Sequence, residues 1–269
     1  MTEPSRVVTS PDGTRIAIFV SGVGPPLVLV HGASADHTTF RVLGPRLAQR
    51  FTIHAIDRRG RGASDDTEPY AIEQEFEDVA AVATTLARET GGPVDIFGHS
   101  YGGRCALGGA LRTNDIRRVI SYEGAPAPIG ERYGDRDVLG ELRRLADAGD
   151  HDRLLATFLT RIVGMGAKDL AAYRDDPIWP IRAAAAATIV RELAAESAGA
   201  ANLDALGAVR QPVLQLLGGA SLSPFAAATR ALDARLVDGR VIVIPGARHA
   251  AHHTHPGVVV DAVRAFLDM

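Results

Sequence analysis

Three features of this sequence predict an α/β fold, with a mostly parallel sheet flanked by helices. Strand-length apolar runs alternate with helix-length segments from Leu27 to Tyr122, and the alternation resumes from Pro212 to Leu267. The run Leu27-Val28-Leu29-Val30 is continuously apolar, as a strand covered on both faces must be, whereas a half-solvated strand would alternate. Between Val94 and Leu111 a strand, a tight glycine turn and a small-residue helix follow one another directly, and such alternation builds parallel sheets covered on both sides.

Taken in order, Arg6 to Thr9 and Thr14 to Ser21 alternate apolar and polar residues around Pro11-Asp12-Gly13, which predicts an antiparallel hairpin at a sheet edge. Leu27 to Val30 forms the first buried strand, Phe40 to Gln49 a short helix, and Phe51 to Ile56 the next strand. Ile72 to Glu89 carries Phe76, Val79, Ala83 and Leu86 at helical spacing, and Gly91-Gly92-Pro93 ends it. Val94 to Phe97 is a strand, Arg104 to Leu111 a helix, and Arg117 to Tyr122 a strand.

From Ala127 to Leu206 only helical segments are expected: Val138–Ala148, Asp152–Val163, Lys168–Arg174 and Ala183–Ala198, the last beginning with five alanines. The chain therefore divides into a core of residues 1–126 and 207–269 and a helical insertion of residues 127–206. In the core, Pro212 to Leu217 and Val241 to Ile244 are strands, and Pro224 to Leu236 and Pro256 to Leu267 are helices.

The 269 residues suffice for one large domain with a sizeable core. A net charge of −3 gives no electrostatic case for nucleic acid or an anionic membrane. Arg58, Arg59 and Arg61 are flanked by Asp57, Asp65 and Asp66, which predicts local ion pairs in a loop, with Asp57 paired to Arg58 or Arg59. The single cysteine, Cys105, excludes an intrachain disulfide and reads as core packing. The start lacks the apolar core of a signal peptide, and no run approaches the roughly 18 apolar residues of a membrane span. A cytoplasmic protein is expected.

Chemistry concentrates at Gly98-His99-Ser100-Tyr101-Gly102. A G-x-S-x-G turn between strand and helix holds its serine on a strained backbone, with Oγ clear of the sheet at a helix N-terminus. A serine attacks only if a base takes its proton, and histidine has the suitable pKa. Of nine histidines, His249 lies just past the last strand, at the same carboxyl edge as Ser100. His252, His253 and His255 read as a solvated cluster at the start of the final helix. With no carboxylate or cysteine at ligand spacing beside them, no metal site is expected. His31 and His99 border the site, where they would shape it.

His31-Gly32-Ala33, Asp57-Arg58-Arg59-Gly60-Arg61-Gly62-Ala63-Ser64, Gly98-His99-Ser100-Tyr101-Gly102 and Gly246-Ala247-Arg248-His249 occur in that order between the right elements. In this the chain resembles the α/β-hydrolase superfamily over nearly its whole length. The resemblance implies Ser100 as nucleophile, His249 as general base, and an oxyanion hole made by the backbone N–H groups of Ala33 and Tyr101. Many members carry an aspartate after the strand matching Pro212 to Leu217. Here that place reads Gly218-Gly219-Ala220-Ser221-Leu222-Ser223-Pro224, with no carboxylate. Some branches, certain dehalogenases and lactone hydrolases among them, put the acid at the end of the strand after the nucleophile helix. In this chain that strand ends in Tyr122-Glu123, which makes Glu123 the expected acid.

A serine nucleophile points to acyl transfer: hydrolysis of a carboxylic ester or lactone through an acyl-enzyme, on a small acyl compound, without cofactor. Carbon–carbon bond hydrolysis with the same triad is the alternative, and a ligand-binding protein that kept the fold is the competing class. In this fold the helical insertion normally caps the site, so His31, Phe158 and Trp179 are expected to wall the substrate pocket, with Met165, Tyr173 and Ile178 as further candidates.

Overall fold

The computed structural model describes residues 3–196 and 198–269. Eight strands form one sheet: β1 (Arg6–Thr9), β2 (Arg15–Ser21), β3 (Pro26–Val30), β4 (Thr52–Ile56), β5 (Val94–His99), β6 (Ile116–Tyr122), β7 (Val213–Gly218) and β8 (Gly239–Ile244). Their spatial order is β1-β2-β4-β3-β5-β6-β7-β8. The edge hairpin β1–β2 and the β2–β4 pair are antiparallel, and all pairs from β4 to β8 are parallel. The parallel strands therefore end together along one edge, and their exit loops face one another there.

The apolar run of β3 is explained by the two layers it separates. Val28 and Val30 pack with Phe76, Val79 and Leu86 of the helix Ile72–Thr90 and with Leu107 of the helix Tyr101–Ala110. Leu27 and Leu29 pack on the opposite face with Phe40, Leu47 and Phe266, the last from the helix Pro256–Leu267. The four side chains from Leu27 to Val30 are fully buried, and each contributes about 1.5–3 kcal/mol of transfer free energy.

Between β6 and β7 every element is helical, the longer ones being Val138–Asp147, His151–Arg161, Ala167–Arg174, Trp179–Ala184 and Thr188–Ala195. They share a cluster of their own, built from Leu142, Leu154, Leu155, Phe158, Trp179 and Ile189. The alanine run does not continue as one helix: residues 185–187 form a turn between the last two. Alanine propensity is worth only tenths of a kcal/mol per residue, and tertiary contacts outweigh it. Here Arg182 before the break is tied to Asp36 at 2.8 Å, and Glu192 after it lies between Arg58 and Arg61.

Those contacts also correct the expected ion pairs of the arginine loop, whose partners are distant in the chain. Arg58 bonds Glu75 at 2.9 Å and Glu192, Arg61 bonds Glu192 at 2.8 Å, and Arg59 binds Asp78 through two bonds of 2.7 Å. Asp57 pairs with neither Arg58 nor Arg59; it accepts the backbone N–H of His37 (2.7 Å) and of Ala63 (2.9 Å). The short helix after β3 is likewise smaller than expected, a 3₁₀ turn at His37–Phe40 and one helical turn at Gly44–Leu47.

Candidate active site

Ser100 stands between β5 and the helix Tyr101–Ala110 with φ 54° and ψ −125°. Two glycines make this turn possible. A Cβ on Gly98 would collide with the carbonyl of Gly102, and one on Gly102 with the carbonyl oxygens of Val30 and His31 at the end of β3. Among the described residues, the non-glycine residues with positive φ are Ser34, Ser100 and Glu123 (53°, 54° and 49°). All three line the cavities around Ser100. Such backbone costs of order 1–3 kcal/mol per residue and persists where the surroundings over-determine it.

Glu123 leaves the end of β6, the strand between that of Ser100 and β7. Its Oε2 lies 2.6 Å from Nδ1 of His249. Its Oε1 accepts the backbone N–H of Gly218 at 2.7 Å and the hydroxyl of Ser221 at 2.6 Å. The loop without a carboxylate thus supplies two donors that hold the carboxylate arriving from the next strand. Glu123 is 4% exposed and His249 6%, so the pair is withdrawn from water while Ser100 and His249 both face the cavities.

The segment carrying His249 is held from several sides. The Tyr122 hydroxyl donates to the carbonyl of Arg248 and accepts the N–H of Ala251 at 3.0 Å. His99 donates from Nε2 to the His249 carbonyl at 2.8 Å, and the Phe225 ring lies 4.5 Å from the His249 ring, centre to centre. Residues Tyr122 and Glu123, adjacent in sequence, therefore fix both the backbone and the imidazole of His249. Ser221, Gly218, Tyr122 and Phe225 were not singled out by residue type. The one sequence signal for Ser221 is the missing carboxylate beside it.

The Tyr101 N–H opens its helix and has no intrahelical acceptor. Ala33 follows β3, and both residues line the same cavity as Ser100. Among the expected pocket residues, Phe158 faces Ser100 in both cavities. His31 and Trp179 do not. His31 is fully buried, with Nδ1 donating to the Gly32 carbonyl (2.8 Å) and Nε2 accepting the Arg58 N–H (3.0 Å), so it ties the β3 exit to the β4 exit. Trp179 turns into the helical cluster, donating to Asp152 at 2.6 Å and meeting Tyr173 edge-on. Its flanking prolines gave no information on which way the ring would point.

Two cavities meet at Ser100. One, of about 490 Å³, is lined by Ala35, Phe158, Leu159, Met165 and His252 among others. The other, of about 30 Å³, runs towards Arg104, Tyr133, Glu192 and Glu196. The first lies within the 300–1,000 Å³ typical of small-molecule sites. Asp36, His37 and Asp57 bring three ligand-type atoms within 4.8 Å, but Arg182 and His37 already occupy those carboxylates.

His252, expected to be solvated, is buried, with its ring 4.2 Å from that of His99, centre to centre, and tilted against it by 51°. The helical turn Ala251–Thr254 tucks it beneath the site. Burial holds His31, His99 and His252 well below the usual histidine pKa, helped by Arg58 at His31, His249 at His99 and His99 at His252. Each is neutral when folded and protonates near pH 6.5 when unfolded. The unfolded chain thus binds more protons below that pH, so their stabilisation is full above pH 6.5 and falls as the pH drops. Three protons set an upper slope of about 4 kcal/mol per pH unit. Glu75, raised by burial, acts in the opposite sense and reduces it. Urea unfolding at pH 7.5, 6.5 and 5.5 should show a falling free energy of unfolding; a constant or rising value would contradict this assignment.

The doubly covered parallel sheet and the serine turn at its carboxyl edge define an α/β hydrolase. Residues 27–262 match the alpha/beta hydrolase family, and the chain belongs to that family and is a hydrolase. It is 28% identical over 266 residues to 2-(acetamidomethylene)succinate hydrolase from Mesorhizobium japonicum, covering 94% of this chain and 92% of the relative. Among solved structures it is similar to an alpha/beta hydrolase from Sphaerobacter thermophilus, with 32% identity, a TM-score of 0.79 and coverage of 95% and 99% of the two chains. It is also similar to an esterase from Rhodococcus sp. ECU1013, with 25% identity, a TM-score of 0.73 and 98% of each chain covered. No helix among the described residues is long and apolar enough to cross a membrane.

Proposed function

We propose that this hydrolase cleaves a carboxylic ester or lactone of a small acyl compound, with Ser100, His249 and Glu123 as a triad. Ser100 Oγ attacks the carbonyl carbon as His249 Nε2 takes its proton. The oxyanion is received by the N–H groups of Ala33 and Tyr101, donors each worth about 2.7–4 kcal/mol in sites of this kind. Collapse breaks the bond to the alcohol oxygen, which takes the proton from His249 and leaves an acyl-Ser100 ester. A water molecule, deprotonated by His249, then releases the acid and restores the serine. No step requires a cofactor.

The observation that carries this reading is the Glu123–His249 pair at 2.6 Å. A buried carboxylate on Nδ1 keeps the proton there and leaves Nε2 free as a base. The relatives support an acyl substrate of modest size, since the Mesorhizobium enzyme is a hydrolase of 2-(acetamidomethylene)succinate and the Rhodococcus protein an esterase.

The test is turnover of p-nitrophenyl acetate and of a simple lactone by the wild type and Ser100→Ala. The wild type should turn over at least one of them, and kcat in the variant should fall by about 10⁴-fold or more. Activity retained in Ser100→Ala would overturn the proposal.

A further inference from the structure

Arg104 lies one helical turn beyond Ser100 and is 3% exposed. It forms part of the wall of the smaller cavity, together with Ser100, Tyr133 and Glu196. Its five N–H donors are poorly used. Among the described residues its Nε has no hydrogen-bond partner. Its Nη2 reaches the Ala125 carbonyl at 3.3 Å, an oxygen that the Tyr133 hydroxyl already engages at 2.6 Å. Its Nη1 lies 3.0 Å from Glu196 Oε1, yet without hydrogen-bond geometry. A guanidinium removed from water needs an anion and satisfied donors, and Glu196 meets it through a single oxygen, Oε1.

Glu196 is a weakly held partner. It sits at the C-cap of the helix Thr188–Ala195, where the helix dipole disfavours a negative charge. The like charge of Glu192 opposes it further, and its side chain is 25% exposed. The other buried arginines of this region differ. The partners of Arg58, Arg59 and Arg61 that belong to helices, Glu75, Glu192 and Asp78, have side chains no more than 2% exposed.

We propose that Arg104 is the recognition site for a carboxylate on the substrate, and that Glu196 occupies this site until the substrate displaces it. A planar carboxylate entering from the Ser100 side can take two of the guanidinium donors at once. Glu196 then turns to the solvent it already touches, so no unpaired charge is left buried. The smaller cavity, which at about 30 Å³ holds little more than a water molecule, opens to admit the group. The inference rests on the reading of Ser100 as nucleophile and narrows its substrate to an ester or lactone whose acyl or alcohol part carries a free carboxylate.

Binding separates this claim from the chemistry. In the Ser100→Ala protein, calorimetry should show monomethyl glutarate, with one free carboxylate, binding about 10- to 100-fold more tightly than dimethyl glutarate. Adding Arg104→Met should abolish the preference. Adding Glu196→Gln, which removes the competing charge at a partly exposed position, should increase it several-fold. Equal binding of the two esters, binding of neither, or a preference that survives Arg104→Met would overturn the proposal. If Arg104→Met fails to fold, an unchanged preference in Glu196→Gln overturns it alone. Failure of the Ser100 reading would appear elsewhere, as ester turnover that persists in Ser100→Ala.

Discussion

Glu123→Gln is expected to lower kcat on an activated ester about 10³- to 10⁴-fold while leaving the unfolding midpoint nearly unchanged. The Gly218 N–H and the Ser221 hydroxyl both point at one oxygen of this side chain. In the variant they retain the amide carbonyl, which leaves the NH₂ group facing Nδ1 of His249. An NH₂ can only donate, so Nδ1 must accept and the ring proton moves to Nε2. His249 then presents a donor to Ser100 and cannot take its proton. Steady-state kinetics of the purified variant, with thermal unfolding as a control, checks this. A loss of less than about tenfold would mean that another group orients the histidine.

Gly102→Ala is expected to destabilise the protein by more than about 4 kcal/mol, the range reserved for severe core disruption. The added methyl meets the carbonyl oxygens of Val30 and His31, both main-chain atoms at the end of the buried strand β3. Neither can retreat without breaking the parallel ladder that joins β3 to β4 and β5. Little folded protein should therefore be recovered, and urea unfolding of any that is should show a strongly lowered midpoint. An unfolding free energy within about 1 kcal/mol of the wild type would show that the serine turn can relax away from β3, contrary to the close approach described above.

The alternation of strands and helices was readable from apolar runs because a doubly covered strand has no polar face to place. The serine turn was readable because its glycines answer a local steric demand. Glu123 as the proposed acid is what the resemblance implies once the loop after Leu217 offers no carboxylate. What could not be read depends on contacts between distant segments. Ser221 and Gly218 acquire their role because β6 lies beside β7, which puts their loop next to Glu123. Arg58 finds Glu192 134 residues away, and a count of nearby aspartates carries no information about that. His252 and Trp179 depend on the direction of a single helical turn, and the break in the alanine run on side-chain anchors at Arg182 and Glu192. Residue type alone is silent on each.

In the proposed mechanism Ser100 is activated by a His249 that Glu123 orients. Intact-protein mass after exposure to a fluorophosphonate tests it most directly. A single adduct is expected on the wild type, located at Ser100, absent from Ser100→Ala and forming far more slowly in Glu123→Gln. An adduct that persists in Ser100→Ala, or one that forms at the wild-type rate in Glu123→Gln, would contradict it.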